Sequence, residues 1–98
     1  MTPEAAVKKK LNTFLDSYAG LYRYMPVSNG MGTPSLDYLI CYRGQFAGIE
    51  TKAGTKKMTA RQEATAEKIR RAGGKAFLIN EDEATWHKLK LWLDSFWE

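Results

Sequence analysis

The sequence predicts an α/β protein, a mixed sheet flanked by helices in the order αβββαβα. Three observations lead there. Apolar residues recur at helical spacing in three separate stretches, and short apolar runs bounded by turn residues lie between them. Arg43-Gly44 sits between two strand-like runs at the length of a two-residue hairpin, where glycine tolerates positive φ. A whole helical stretch then separates the third run from the fourth, as a crossover to a further strand requires.

Thr2-Pro3-Glu4 opens the first helix, with threonine as N-cap and proline in the first turn. Ala6, Val7, Leu11, Phe14, Leu15 and Tyr18 keep its period until Gly20 ends the run. Leu21–Val27 is rich in aromatics and reads as a strand, with Pro26 marking an edge or an end. Tyr22, Tyr24, Tyr38 and Tyr42 are expected to pack within the sheet rather than to stack on bases. Ser28–Pro34 is a loop by composition. Leu36–Tyr42 and Gln45–Lys52 form the hairpin. Thr59-Ala60-Arg61-Gln62 has the pattern of a capping box and starts a helix that runs to about Ala72, before Gly73-Gly74. Lys75–Ile79 is a short strand, and Asn80 is expected to cap the last helix ahead of Glu81, Asp82 and Glu83. Trp86, Leu89, Leu93 and Phe96 make the apolar stripe of that helix. Leu91, Trp92 and Trp97 lie partly off it, which is expected either of a dimer interface or of aromatics near the C-terminus that close a small core.

The chain has 98 residues, the size of one domain, expected here to span 1–98. A single cysteine, Cys41, excludes an intramolecular disulfide and a cysteine-based zinc site; by alternation it is a small core residue. A single histidine, His87, excludes histidine-rich metal sites. No signal peptide or membrane-length apolar run is visible, so a soluble, cytoplasmic protein is expected. The net charge of +4 favours a polyanionic partner, with Lys56-Lys57 directly after the second hairpin strand.

Counting outward from the turn pairs Tyr42 with Gln45, Cys41 with Phe46 and Leu39 with Gly48, and sets Asp37 opposite Glu50. Opposed residues have Cβ atoms about 5 Å apart, where like charges destabilise a sheet. A cation is expected to offset that repulsion. Lys52, two residues beyond Glu50, falls on the same face. Two carboxylates and a lysine at the end of a hairpin suit a divalent-metal site for hydrolysing phosphodiesters. Mg²⁺ or Mn²⁺ are the expected ions, because hard cations prefer oxygen ligands.

These residues, in this order on these elements, resemble the PD-(D/E)xK nuclease superfamily and, within it, the VRR-NUC family. Gly32–Asp37 is similar to the family's segment entering the second strand, although Ser35-Leu36 separates Pro34 from Asp37. Gly48-Ile49-Glu50-Thr51-Lys52 resembles its ExK strand, and Thr59–Gln62 the segment that carries a glutamine into the next helix. Glu4 matches in place a glutamate on the family's first helix. The resemblance implies a metal-dependent, structure-selective DNA endonuclease of bacterial or viral type. It further implies a homodimer acting on branched DNA, in the manner of a four-way (Holliday) junction resolvase.

On that resemblance Asp37, Glu50 and the Thr51 carbonyl would hold the metal, with Glu4 as an additional ligand. Lys52 would orient water and stabilise charge on the phosphate. Gln62 has two readings, a capping residue or a neighbour of the reacting water, and one side chain does not easily serve both. Lys56, Lys57 and Arg61 would hold DNA phosphates; otherwise they form a solvated surface. Rival readings are a DNA-binding module that keeps the fold without catalysis, and a carboxylate-pair glycosidase, which the lysine and basic charge disfavour.

Overall fold

The computed structural model describes residues 1–27 and 32–97, so the Ser28–Met31 part of the expected loop lies outside the described residues. Seven elements follow in order: α1 (Pro3–Asp16), β1 (Tyr22–Tyr24), β2 (Tyr38–Tyr42), β3 (Gln45–Thr51), α2 (Ala60–Arg71), β4 (Lys75–Ile79) and α3 (Glu83–Asp94). The strands lie side by side in chain order in one sheet. β1–β2 and β2–β3 are antiparallel, and β4 joins β3 in parallel after the α2 crossover.

The hairpin turn has the expected backbone. Arg43 and Gly44 have φ of 52° and 81°, the left-handed values that a type I′ turn requires. The register follows from it, with Tyr42 opposite Gln45, Cys41 opposite Phe46 and Leu39 opposite Gly48. Alternation then sorts the side chains between two faces. Tyr38, Ile40, Tyr42, Ala47, Ile49 and Ile79 form one core with Val7, Leu11 and Leu15 of α1 and Trp86, Leu89 and Leu93 of α3. Trp92 and Phe96 join its edge, so Trp92 packs on Phe77 instead of standing off the stripe.

On the opposite face α2 approaches closely because Gly48 has no side chain. A Cβ there would stand 2.7 Å from the Ile69 Cδ1 and 2.9 Å from the Leu36 Cδ1. The Tyr38 hydroxyl donates to the Lys8 carbonyl at 3.3 Å, tying α1 to the start of β2.

Four expectations change. α1 ends at Asp16 with Ser17 as C-cap, before Tyr18, whose hydroxyl donates to Asp94 on α3. β1 is limited to Tyr22–Tyr24, the part of Leu21–Val27 that finds a partner in β2. Asp82, not Asn80, caps α3 by accepting from the Ala84 N–H, while Asn80 accepts from the Asp82 N–H in a preceding turn. Tyr38 and Tyr42 are buried as expected, but Tyr22 and Tyr24 are exposed, because among the described residues no helix covers their face of the edge strand.

Candidate active site

The end of the hairpin brings the acidic residues together. β2 begins at Tyr38, so Asp37 stands just outside the ladder, facing Glu50 near the end of β3. The Asp37 N–H donates to Glu50 Oε1 at 3.2 Å. The Asp37 carboxylate turns onto the strand end, where its Oδ2 accepts from both the N–H and the hydroxyl of Thr51, at 3.0 and 2.7 Å. This double anchor explains why a threonine is fully buried beside two acids.

Glu50 is only 4% exposed. Burial, reinforced by the negative charge of Asp37, pushes its carboxyl up to about 7, and Lys52 opposes the shift in part. The Lys52 ammonium lies 3.7 Å from Glu50 Oε2, and that of Lys8 lies 3.8 Å from Asp37 Oδ1. Both distances exceed the ~2.7–2.9 Å of a charge-assisted hydrogen bond, so the paired acids are incompletely neutralised.

Gln62 caps α2 and at the same time reaches the acid pair. Its Oε1 accepts from the Thr59 N–H at 3.0 Å, completing the capping box with the Thr59 hydroxyl. Its Nε2 donates to Glu50 Oε2 at 3.1 Å. An amide carries an acceptor and a donor on opposite sides, so one end caps α2 while the other holds the acid.

Glu4 is not brought into the carboxylate pair. Its side chain meets Lys8 at 3.8 Å, and Lys8 stands between it and Asp37. Lys56 and Lys57 are exposed on the connector after β3, and Arg61 is exposed on the first turn of α2. Arg61 lines a cleft of about 300 Å³ together with Asp37, Gln62, Thr59, Pro34 and Val27. Sequence reasoning missed Lys8, which reads as one of three consecutive lysines. Its signal was the four-residue spacing from Glu4 on the helix edge next to core residues Val7 and Leu11.

The donor set fits a hard divalent ion. Two carboxylates offer oxygen ligands, and the raised proton affinity of Glu50 marks negative charge that a cation would relieve. Among the described residues no group of three or more His, Cys, Asp or Glu forms a cage. Water and substrate oxygens would complete the shell, as Mg²⁺ sites commonly have it.

No family model matches the sequence, and no curated protein does. Among solved structures, a "VRR_NUC domain" superposes with a TM-score of 0.72 at 18% sequence identity, covering 99% of this chain and 100% of that one. No helix among the described residues is long and apolar enough to cross a membrane. The chain has an αβββαβα fold, and it shares that fold with the VRR_NUC domain over nearly its whole length.

Proposed function

We propose that this chain is a VRR-NUC nuclease, one domain over 1–98, that hydrolyses DNA phosphodiester bonds with Mg²⁺ or Mn²⁺. The observation that carries the reading is the buried Glu50 beside Asp37, with Lys52 and Gln62 on the same acid at the open end of the sheet. A purely structural acid pair at this depth would raise the energy of the fold without return.

Asp37 and Glu50 would hold the ion, with the Thr51 carbonyl as a further ligand; Glu4 would reach it only if Lys8 moved aside. A bound divalent cation supplies Lewis-acid polarisation of the scissile phosphate and makes a bound water more acidic. Thr51 fixes the Asp37 carboxylate through two hydrogen bonds, so its orientation is set before substrate arrives. Gln62 fixes Glu50 from α2. Lys52, whose ammonium lies 3.7 Å from Glu50 Oε2, would set a positive charge beside the scissile phosphate, where negative charge grows as water attacks. Arg61, in the cleft beside Asp37, would hold a flanking phosphate, and Lys56 and Lys57 would extend that contact.

Branched DNA, including the four-way junction, is the proposed substrate class. Symmetric cutting of a junction needs two sites, which a homodimer supplies. Exposed Leu91 and Trp97 offer apolar surface for such pairing. The test is cleavage of labelled four-way junction, flap and linear duplex by wild type and Lys52→Ala, with Mg²⁺, Mn²⁺ or EDTA. Metal-dependent cutting that falls by about 10²-fold or more in the variant is expected. A folded wild type that binds DNA and cuts nothing with either metal would replace this reading with a non-catalytic DNA-binding module.

A further inference from the structure

We propose that Tyr22 and Tyr24 form a stacking platform for unpaired nucleobases of the DNA strand whose phosphate enters the cleft, an inference that rests on the nuclease reading. The two tyrosines are two residues apart on edge strand β1, so they share a face, and they are 65% and 53% exposed. Their partners are Cys41 and Leu39 on β2, and Asp37 follows two residues beyond Leu39. The tyrosines therefore form a row leading toward the acid pair on the same face of the sheet. Arg23 between them points to the other face, where it bonds the Asn12 carbonyl and Asp16.

α2 leaves this half of the sheet uncovered, because its close approach is at Gly48 and Gly74 beside β3 and β4. The chain leaving β1 runs straight into the cleft, which Pro26 and Val27 line with Asp37, Gln62 and Arg61. Two residues of a strand advance about 6.8 Å, twice the ~3.4 Å base rise of a duplex strand. Each ring thus has a face for one base of an extended strand, a face that stacked and paired bases do not need.

Charge decides the occupant. Arg61 and Lys68 are exposed on α2, where Arg61 lines the cleft with Pro26 and Val27 and Lys68 lines a groove with Leu39, the partner of Tyr24; neither makes an ion pair among the described residues. A second copy of a chain with net charge +4 would meet like charges there, whereas a nucleic-acid strand presents phosphates to the cations and bases to the rings.

Binding is measured by fluorescence anisotropy in EDTA, which prevents cleavage. The probes are a duplex with a single-stranded thymidine tail, the same duplex with an abasic tail, and a fully paired duplex. The double variant Tyr22→Ala/Tyr24→Ala is expected to bind the thymidine tail about tenfold or more weakly than wild type. The Tyr→Phe double variant retains binding, and the abasic and paired probes bind all three proteins alike. Equal affinity of wild type and the alanine variant for the thymidine tail overturns the proposal. So does a loss that persists on the abasic tail, or sedimentation showing that the alanine changes dissolve a self-association of the wild type. Cleavage of four-way junction, flap and linear duplex with Mg²⁺ or Mn²⁺ is scored separately. A protein that needs the tyrosines to bind yet cuts nothing keeps the platform and loses the nuclease reading; one that cuts but ignores the tyrosines does the reverse.

Discussion

Replacing Glu50 by glutamine isolates the electrostatic cost of the acid pair. In the folded chain the Glu50 carboxyl is raised from 4.5 to about 7, chiefly by burial and then by Asp37. Below pH 4.5 both the folded and the unfolded chain hold this proton, and the group contributes nothing to the pH dependence. Between 4.5 and about 7 the folded state keeps the proton that the unfolded state has released, so stability falls as pH rises. Above 7 the loss is complete, at about 3 kcal/mol for a span of about 2.5 pH units. Glutamine does not titrate, but its amide offers one acceptor where Glu50 accepts from both the Asp37 N–H and Gln62 Nε2. One donor is left unpaired, costing about 1 kcal/mol.

Glu50→Gln should therefore be less stable than wild type by about 1 kcal/mol at pH 4 and more stable by about 2 kcal/mol at pH 8. The curves cross at about pH 5. Urea unfolding of both proteins in EDTA, at half-unit steps from pH 4 to 8, gives the difference free of other titrating groups. A difference that stays flat with pH refutes the reasoning, because Glu50 would then carry no penalty in the folded chain. Saturating Mg²⁺ at pH 8 should raise wild-type stability by about 2.7 kcal/mol at a hundred times its Kd, and the glutamine variant by much less.

The two ends of Gln62 can be separated with Gln62→Glu. Glutamate keeps the capping box with Thr59 but sets a third carboxylate against Glu50. Thermal unfolding should show a loss of about 1–2 kcal/mol at pH 8 that shrinks at pH 5, where Glu50 is protonated; a loss independent of pH would mean that only the cap matters. Gly48→Val places branched carbon where Ile69 and Leu36 already stand, and should cost about 1–3 kcal/mol in urea unfolding as α2 is pushed outward. Because α2 carries Gln62, the same variant should also weaken Mg²⁺ binding; unchanged stability would show that the Ile69 and Leu36 tips yield freely.

The hairpin and what it aligns follow from residue order alone. A two-residue turn leaves one register, and a period of two then dictates that Asp37 faces Glu50 and that Lys52 shares the Glu50 face. Thr59 and Gln62 were legible for the same reason, since a capping box is local. What reaches the site from elsewhere in the chain depends on how the helices pack. Lys8 meets Asp37 because α1 is seated by Val7, Leu11 and the Tyr38 hydroxyl, contacts that no local spacing encodes. The same packing leaves Glu4 behind Lys8 rather than beside the acids. Tyr22 and Tyr24 are exposed for a tertiary reason as well. Their composition fits a packed strand, but α2 docks where glycines permit close approach, and that is on the far half of the sheet. Turn geometry and strand alternation act between neighbours in sequence, whereas exposure depends on which helix covers which strand.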